Sequence, residues 1–393
     1  MSEWKETKLS ELCTEITYGY TESAKEEEVG PKFLRITDIS SDRVDWSKVP
    51  YCSISETNFD KYKLFPGDIV IARTGASTGA IYTIREKDPK NVVFASYLIR
   101  YKINHNIANP FYIGCLLKSV SWKEYVDAIS GGSAQPGANA KQLGSFSILL
   151  PPLPEQKAIA SVLGSLDDKI DLLHRQNTTL EAMAETLFRQ YFVEEAKEDW
   201  ETVKLGELGT IICGKTPSKR IHKYFNGDYP FIKIPDMHGK TFVFESEDTL
   251  TNEGLKSQEK KTIPPRSICV SCIATVGLVS MNAKTSQTNQ QINSIIPKKE
   301  NYRYYLYLKM ISIKEDLQQM ASGGTATFNL NTSSFSNIQF SLPSEEKLND
   351  FHMKVNCIFE KIYQNQIQIR TLTSLRDTLL PKLMSGEVRV REI

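Results

Sequence analysis

The feature that most constrains this chain is a long heptad pattern that follows three closely spaced prolines in Pro151–Pro154. A proline disfavours helix before it, so a helix is predicted to begin at this point. Over Ile159–Tyr191, apolar side chains return at alternating steps of four and three residues, a period of about 3.5 that is typical of a coiled-coil seam. A helix of roughly 57 Å needs a second helix to cover such a stripe.

A second heptad pattern, over about Glu345–Leu383, supplies the covering helix. Each pattern holds one polar seam residue, Asn177 in the first and Asn365 in the second, and a single buried Asn commonly fixes coiled-coil register. Arg376 and Pro381 interrupt the second pattern, so its seam is predicted to end there. The alternative, two separate core helices, is disfavoured by the length and strict spacing of both patterns.

The spacing between the two helices predicts an antiparallel seam. About eight residues, at most ~27 Å of chain, connect the first helix to the domain that follows, so the second helix is expected to start near the end of the first. The predicted seam residues are Leu163, Leu166, Ile170, Leu173, Asn177, Leu180 and Leu187 in the first helix, and Val355, Ile358, Ile362, Asn365, Ile369, Leu372 and Leu379 in the second.

An internal duplication decides the domain organisation. WKETKLSEL at Trp4–Leu12 corresponds to WETVKLGEL at Trp200–Leu208, and FLRITD at Phe33–Asp38 corresponds to FIKIPD at Phe231–Asp236. Because the repeat period is about half the chain, the sequence predicts one fused pair of domains rather than a solenoid. A closed repeat of this kind also predicts that the two chain termini lie close together.

The predicted fold is α+β: two homologous mixed α/β globular domains joined by two long helices, which form an intramolecular antiparallel coiled coil with pseudo-two-fold symmetry. The predicted segments are 1–150, the first globular domain; 151–195, the first seam helix; 196–342, the second globular domain; and 343–393, the second seam helix and tail. Within the domains, strands are predicted at Gly67–Ala72, Ile81–Ile84, Val92–Arg100 and Ser267–Ile273, and helices at Pro110–Ile129 and Tyr302–Met320.

Composition limits the classes of function. The chain has 48 Lys and Arg against 47 Asp and Glu, a net charge of +1, so any basic surface for nucleic acid must be local. The seven cysteines are scattered and odd in number, which is typical of reduced thiols in a cytoplasmic protein. No apolar stretch approaches the ~18 residues of a membrane span, so no membrane partner is expected.

Three short motifs carry weak signals for chemistry. Asn-Pro-Phe-Tyr at Asn109–Tyr112 is similar to a methyltransferase loop, but it opens a predicted helix and no Gly-rich cofactor loop precedes it. Pro235–Asp236 with Glu259–Lys261 loosely matches the spacing of metal-dependent nucleases. Cys269 and Cys272 form a lone C-x-x-C, which a zinc site would need doubled. We therefore predict no catalytic residue and no metal ligand.

Six segments resemble those of one known family. They are LPPLPEQKAIASVLGSLDDKI (Leu150–Ile170), LPSEEKLNDF (Leu342–Phe351), LPKLMSGEVRV (Leu380–Val390), FPGDIVIARTGASTG (Phe65–Gly79), SGGSAQPGANAKQL (Ser130–Leu143) and TNQQINSIIP (Thr288–Pro297). Together they make the chain similar, over essentially its whole length, to the specificity subunits of type I restriction–modification enzymes. One difference lies at the helix entries, where Ser344 and Glu346 stand in place of Pro154 and Gln156.

The resemblance implies a non-catalytic DNA-recognition subunit. Each globular domain would be a target recognition domain that reads one half of a bipartite, asymmetric site in double-stranded DNA. The helices would set the unread spacer and dock two modification subunits, on surfaces that could differ in strength. Those subunits would methylate adenine with S-adenosylmethionine, and restriction subunits would add translocation and cleavage driven by ATP and Mg²⁺. No cofactor is expected in this chain itself.

Candidate DNA contacts are polar and basic residues on loops beside Gly-rich turns, because Arg pairs with guanine and Asn or Gln with adenine. They are Arg73, Thr74, Ser77, Gln135, Asn139 and Lys141 in the first half, and Lys215, Lys219, Arg220, Gln290, Gln291, Asn329 and Asn331 in the second. Two rival functions remain open at this stage. One is a nuclease or methyltransferase that acts alone, and the other is a coiled-coil adaptor that binds only proteins.

Overall fold

The computed structural model of the chain describes residues 4–40, 43–131, 137–197, 199–322 and 329–390. The chain divides into two compact units, each described separately below. The first unit comprises Met1–Leu172 and Arg370–Ile393, and the second comprises Leu173–Ile369. Each of the two long helices therefore contributes one part to each unit, whereas the predicted segments treated each helix as a block of its own.

The first unit contains three small sheets. Its strands are β1 (Lys5–Lys8), β2 (Cys13–Tyr18), β3 (Lys32–Leu34), β4 (Asp68–Ala72), β5 (Ile81–Thr83), β6 (Val92–Phe94), β7 (Leu98–Ile103) and β8 (Ser147–Leu150). Its helices are α1 (Ile36–Ile39), α2 (Glu56–Tyr62), α3 (Pro110–Leu116), α4 (Val120–Ser130), α5 (Ala140–Gly144) and the first part of α6 (Leu153–Arg189). The largest sheet has the antiparallel order β2-β7-β4-β5, β1 pairs with β8, and β3 lies parallel to β6.

The second unit repeats this arrangement of strands and helices and adds two strands, β12 (Phe242–Val243) and β13 (Thr249–Leu250). Its strands are β9 (Glu201–Lys204), β10 (Gly209–Cys213), β11 (Phe225–Ile232), β12 (Phe242–Val243), β13 (Thr249–Leu250), β14 (Ile268–Ser271), β15 (Val279–Asn282), β16 (Gln287–Thr288), β17 (Ile292–Pro297) and β18 (Gln339–Leu342). Its helices are α7 (Leu205–Leu208), α8 (Ile234–Met237), α9 (Asn252–Lys256), α10 (Tyr302–Ser312), α11 (Lys314–Ala321), α12 (Thr332–Ser336) and most of α13 (Glu345–Met384).

The sheet topologies of the two units correspond. The order β10-β17-β14-β15-β12 repeats β2-β7-β4-β5 with one added edge strand, β18 pairs with β9 as β8 pairs with β1, and β11 lies parallel to β16 as β3 does to β6. The predicted internal duplication and the α+β class are therefore confirmed.

Three predicted elements are divided in the structure. The strand predicted over Val92–Arg100 is two strands, β6 and β7, because the chain turns at Ala95–Tyr97, where the Leu98 N–H donates to the Ala95 carbonyl. The helix predicted over Pro110–Ile129 breaks at Ser119, whose side chain caps α4 by accepting from the Trp122 N–H. Similarly, the helix predicted over Tyr302–Met320 is interrupted at Ile313, between α10 and α11. Helical spacing alone misses such local turns.

The two long helices pair antiparallel within each unit. In the second unit, Asn365 Nδ2 donates to Asn177 Oδ1 at 2.8 Å, and the Tyr191 hydroxyl donates to an Asp350 oxygen at 2.5 Å. Tyr191 lies in the helical turn Gln190–Glu194 that directly follows α6, and in both pairs the higher number on this side goes with the lower number on α13. In the first unit Arg376 Nη1 lies 3.1 Å from Asp167 Oδ1. The predicted seam residues are all buried or half-buried.

The second long helix, predicted to run to about Leu383, extends past the predicted end of its seam near Arg376 and Pro381. Helix α13 continues through Pro381 to Met384. Arg376 contacts carboxylates of Asp167 and Asp377, and Leu383 is 2% exposed in the core of the first unit. A proline removes one backbone hydrogen bond, but here the packing of the following turn keeps the chain helical.

The described ends of the chain lie side by side in the first unit. Gly386 has a φ of +73°, and a Cβ placed on it would lie 3.2 Å from Cζ2 of the Trp4 ring. Glycine is therefore the residue that allows the tail to pass against Trp4. In the part of the chain that the structure describes, no helix has the length and apolar character needed to cross a membrane.

Candidate nucleic-acid interface

In the first unit, loops meet at the edge of the sheet where β2 and β4 end and β7 begins. The Arg73 N–H donates to the Tyr97 carbonyl at 3.0 Å, and the Arg73 carbonyl accepts from the Ala138 N–H at 2.9 Å. Thr74 forms an antiparallel bridge with Gly137. These backbone bonds hold the loop after β4 against the segment that enters α5, so its side chains share one face.

The Arg73 side chain lies among aromatic rings at this edge. Its guanidinium carbon is 5.3 Å from the centre of the Tyr18 ring and 5.9 Å from that of Tyr97, within the range of cation–π attraction. Its Nε donates to the Ser96 carbonyl at 3.1 Å. Tyr18 also accepts the Ala140 N–H, at 3.0 Å. Within the residues that the structure describes, Arg73 is therefore held through Nε and the face of its guanidinium, and no hydrogen bond uses its two terminal nitrogens.

Two further predicted residues lie in the same region. Asn139 is exposed and caps α5, since its side-chain oxygen accepts from the Gln142 N–H at 2.9 Å. Lys141, in the first turn of α5, is exposed. Ser77 is half-buried in the loop after β4. Gln135, also predicted as a DNA contact, lies outside the described residues.

The second unit builds the corresponding edge with different side chains. The Cys272 carbonyl accepts from the Leu330 N–H at 2.9 Å, as the Arg73 carbonyl does from the Ala138 N–H. Ile273 forms an antiparallel bridge with Asn329, which corresponds to the bridge between Thr74 and Gly137. The Cys272 N–H donates to the Gln291 carbonyl at 2.8 Å. Cys272 therefore occupies the place of Arg73, and it is 2% exposed.

Amides dominate this second edge. Asn289 Nδ2 donates to Gln291 Oε1 at 2.9 Å, and the Thr216 hydroxyl donates to Gln290 Oε1 at 2.8 Å. The backbone N–H of the exposed Lys215 donates to the Thr288 carbonyl at 2.9 Å, which fixes the loop after β10 beside them.

The remaining candidates of the second unit are all exposed. Asn331 caps α12 by accepting from the Ser334 N–H at 2.9 Å, and Asn329 lies two residues before it. Lys219 and Arg220 follow Lys215 in the loop after β10.

The sequence interpretation missed Tyr18 and Tyr97. They are 43% and 57% exposed, and both contact Arg73. The sequence pattern around Tyr97 predicts the interior of one long strand, whereas the structure places Tyr97 in a turn between β6 and β7. An aromatic residue in a turn between two strands is the signal that could have revealed it.

The weak catalytic and metal motifs have structural roles. Asp236 accepts the Lys233 N–H at 2.8 Å and the Glu247 N–H at 3.0 Å, so both carboxylate oxygens stabilise a turn. Asn109 caps α3 by accepting the N–H groups of Phe111 and Tyr112, both at 3.0 Å. Among the described residues, no group of three or more His, Cys, Asp or Glu side chains could hold a metal.

Cys269 and Cys272 pack into separate hydrophobic cores of the second unit. Burial raises the pKa of Cys269 to about 12 and that of Cys272 to about 11, as expected for inert structural thiols.

Helix α6 is attached to the first globular domain by charged pairs. Lys87 Nζ lies 2.8 Å from Asp168 Oδ1 and 2.8 Å from Asp171 Oδ2, and Arg85 Nη1 lies 3.1 Å from Asp171 Oδ2. Burial acts to raise the pKa of Asp171, but the hydrogen bond from Lys87 and the charges of Lys87 and Arg85 outweigh it and leave the pKa below its ordinary value. Asp171 is therefore charged at neutral pH.

The start of α6 is joined to the same domain by Gln156. This side chain is fully buried; its Oε1 accepts the Asn109 N–H at 2.8 Å, and its Nε2 donates to the Pro151 carbonyl at 2.8 Å. Glu346, the corresponding residue of α13, is exposed. At this position one helix entry therefore has a buried link to its domain, whereas the other has an exposed side chain.

Replacing Gln156 with alanine is expected to lower the free energy of unfolding by about 1–3 kcal/mol, because it removes the partner of the half-buried Asn109 N–H and of the buried Pro151 carbonyl. The matched control is Glu346→Ala, an exposed position where the change should stay within about 0.5 kcal/mol. Denaturant unfolding of both variants measures this difference. Equal effects would show that Gln156 is not a structural link.

Taken together, these features define a class of protein: two copies of one α+β domain, each with a polar loop edge and each built with parts of the same two helices. The family model of the type I restriction modification DNA specificity domain matches residues 1–182 and 197–374. The chain belongs to this family of type I restriction–modification specificity proteins.

Two relatives and one solved structure illustrate the match. The HindI type I restriction enzyme specificity subunit of Haemophilus influenzae is 35% identical, covering 99% of this chain and 100% of its own length. The MjaIX specificity subunit of Methanocaldococcus jannaschii is 30% identical over 72% of this chain and 70% of its own. The crystal structure of a type I restriction–modification S subunit from M. genitalium is similar in fold, with a TM-score of 0.61 at 15% identity over 99% of this chain and 97% of its own.

Proposed function

We propose that this chain is the DNA sequence-recognition subunit of a type I restriction–modification complex, in which each globular domain reads one half of a bipartite, asymmetric site in double-stranded DNA. The observation that carries this proposal is the duplicated domain, which the specificity family model matches twice. The polar loop edges support it, because Arg, Lys, Asn and Gln are the side chains that pair with base edges in the major groove.

The two helices set the length of the unread spacer and dock two modification subunits. In each unit the helices are held in register by specific pairs, Asn177 with Asn365 in one and Asp167 with Arg376 in the other. A paired helix is stiffer than a loop and has a defined rise of about 1.5 Å per residue, so it can act as a ruler. The same helices also provide the surfaces on which the two modification subunits dock.

Catalysis takes place in the partner subunits of this cytoplasmic complex. The modification subunits bind S-adenosylmethionine and methylate adenine, while the restriction subunits use ATP and Mg²⁺ to translocate and cleave DNA. The support for assigning no catalysis to this chain is that its motifs for methyl transfer and metal-dependent cleavage cap a helix and a turn, at Asn109 and Asp236.

Mapping methylated adenines tests this function. The purified chain, alone or with two modification subunits, is incubated with plasmid DNA and S-adenosylmethionine. Methylation is expected only with the partners present, at one bipartite motif with a fixed spacer. Modification or cleavage by the chain alone would favour a self-sufficient enzyme.

Binding of the complex to DNA is expected to weaken steeply with salt. If the complex neutralises six to ten phosphates, its affinity should fall by roughly 10³ to 10⁵ between about 50 and 200 mM salt. Filter binding over a salt series gives this slope. A complex that retains no DNA even at low salt would favour a protein-only adaptor.

A further inference from the structure

The loop edges of the two units differ at one position that the backbone holds in the same way. Arg73 and Cys272 each accept an N–H from the segment before the short helix, Ala138 in one case and Leu330 in the other. Each also donates to the residue that precedes the next strand, Tyr97 or Gln291. The backbone is conserved between the units, so the change from an arginine to a buried cysteine changes what the edge can bind.

The charge of Arg73 is not neutralised by a carboxylate of the described residues, so it is available to a ligand. In the described part of the chain no acidic side chain forms an ion pair with Arg73. Other arginines of the first unit do form short ion pairs with carboxylates. Tyr18 and Tyr97 flank the guanidinium, and Ser96 takes only its Nε proton. A guanidinium fixed in this way loses little side-chain entropy when it binds.

We infer that Arg73 is a base-reading residue of the first recognition domain and that it pairs with a guanine through its two terminal nitrogens. This inference rests on the proposed function, and it names the residue that would read one half-site and the base that it would read. Guanine presents two acceptors, N7 and O6, in the major groove, and a guanidinium with a fixed plane matches both at once. Tyr18 and Tyr97, both exposed, contact the guanidinium and hold it at the edge of the sheet.

The second domain lacks this guanine reader, because Cys272 presents no donor pair to solvent. Its edge carries the amides of Asn289, Gln290 and Gln291 instead. The two half-sites are therefore read by different chemistry, which gives the experiment an internal reference: a change at Arg73 alters one half-site and leaves the other untouched.

The test is a selection from duplex DNA libraries by the complex of this chain with two modification subunits. Wild type should enrich a bipartite motif that contains a guanine in one half-site. Arg73→Ala should lose the preference at that one base pair, by about tenfold to a hundredfold, with every other position unchanged. Arg73→Lys, which keeps the charge and the stem, should also lower it, because an ammonium cannot form the bidentate pair.

Arg35→Ala is the matched control. Arg35 is in the same unit, and its guanidinium is bound to the Asp38 carboxylate through Nε at 3.1 Å and Nη2 at 2.9 Å. This variant should select the wild-type motif.

Several results would overturn the inference. Affinity that falls evenly for all sequences, with a salt slope lower by about one, would assign Arg73 to a phosphate. An unchanged motif, or loss of all binding in a variant that unfolds like wild type, would also contradict it. In each of these cases wild type still selects a bipartite motif. If wild type selects no bipartite motif, it is the proposed function that fails.

Discussion

Replacing Phe351 with alanine is expected to destabilise the second unit by about 3–5 kcal/mol, the usual cost of removing a fully buried aromatic ring. Phe351 is 0% exposed, and its ring centre lies 4.7 Å from that of Phe192, 5.6 Å from Tyr191 and 6.3 Å from Phe188. This cluster joins α13 to the end of α6. Phe192 also packs on Tyr305 of α10 at 4.9 Å, so the same cluster joins both helices to the globular domain.

Hydrogen exchange of the full chain, resolved by peptide, measures this effect. Peptides of the second unit should lose protection in Phe351→Ala, and peptides from the β2-β7-β4-β5 sheet should keep theirs. Met353→Ala is the control, because that side chain lies two residues away on the same helix and is 69% exposed. A loss of less than about 1 kcal/mol in Phe351→Ala would contradict the packing described here.

The helices and the duplication could be predicted because their signals are local or repeated in the sequence. A period of about 3.5 residues follows from side-chain geometry alone, and two similar segments are visible wherever they lie in space. Pro381 shows the limit of local reasoning. Local propensity predicts that the seam ends there, whereas the helix itself continues and Leu383 packs into the core of the first unit.

Residues of the loop edges were harder to predict because their roles depend on distant partners. The chemistry of an arginine makes Arg73 a candidate, but its contacts with Tyr18 and Tyr97 join segments far apart in the chain. Asn139 has a local signal in the sequence, because an Asn followed three residues later by Gln142 is the pattern of a capping box. The structure contains that capping box at the start of α5.

Gln156 illustrates a different limit. It lies in the segment that carries the family resemblance most strongly, and its burial against the Asn109 and Pro151 backbones could not be inferred from that resemblance.

Removing one heptad from a single long helix is expected to abolish DNA recognition. Deleting residues 170–176 from α6 shortens it by about 10 Å while α13 keeps its length. The Asn177–Asn365 pair and the Asp167–Arg376 pair could then no longer form together, since each requires the two helices to match in length. Whichever pair is broken leaves polar side chains without hydrogen-bond partners. Each buried group of this kind lowers the free energy of unfolding by about 1–3 kcal/mol. Methylation by the reconstituted complex reports the loss.

Removing matched heptads from both helices provides the control for that loss. Deleting 170–176 together with 366–372 keeps both Asn177 and Asn365 and leaves the apolar repeat of each helix in phase. The paired helices remain complementary, and Asp168 keeps its contact with Lys87 although Asp171 is removed, so this variant should fold and bind DNA.

The length of the unread spacer in the sites that this doubly shortened protein methylates tests the account most directly. Removing about 10 Å of helix corresponds to about three base pairs of DNA, so the spacer should shorten by about that amount while both half-site sequences stay the same. A spacer of unchanged length would show that the helices do not set the distance between the two recognition domains.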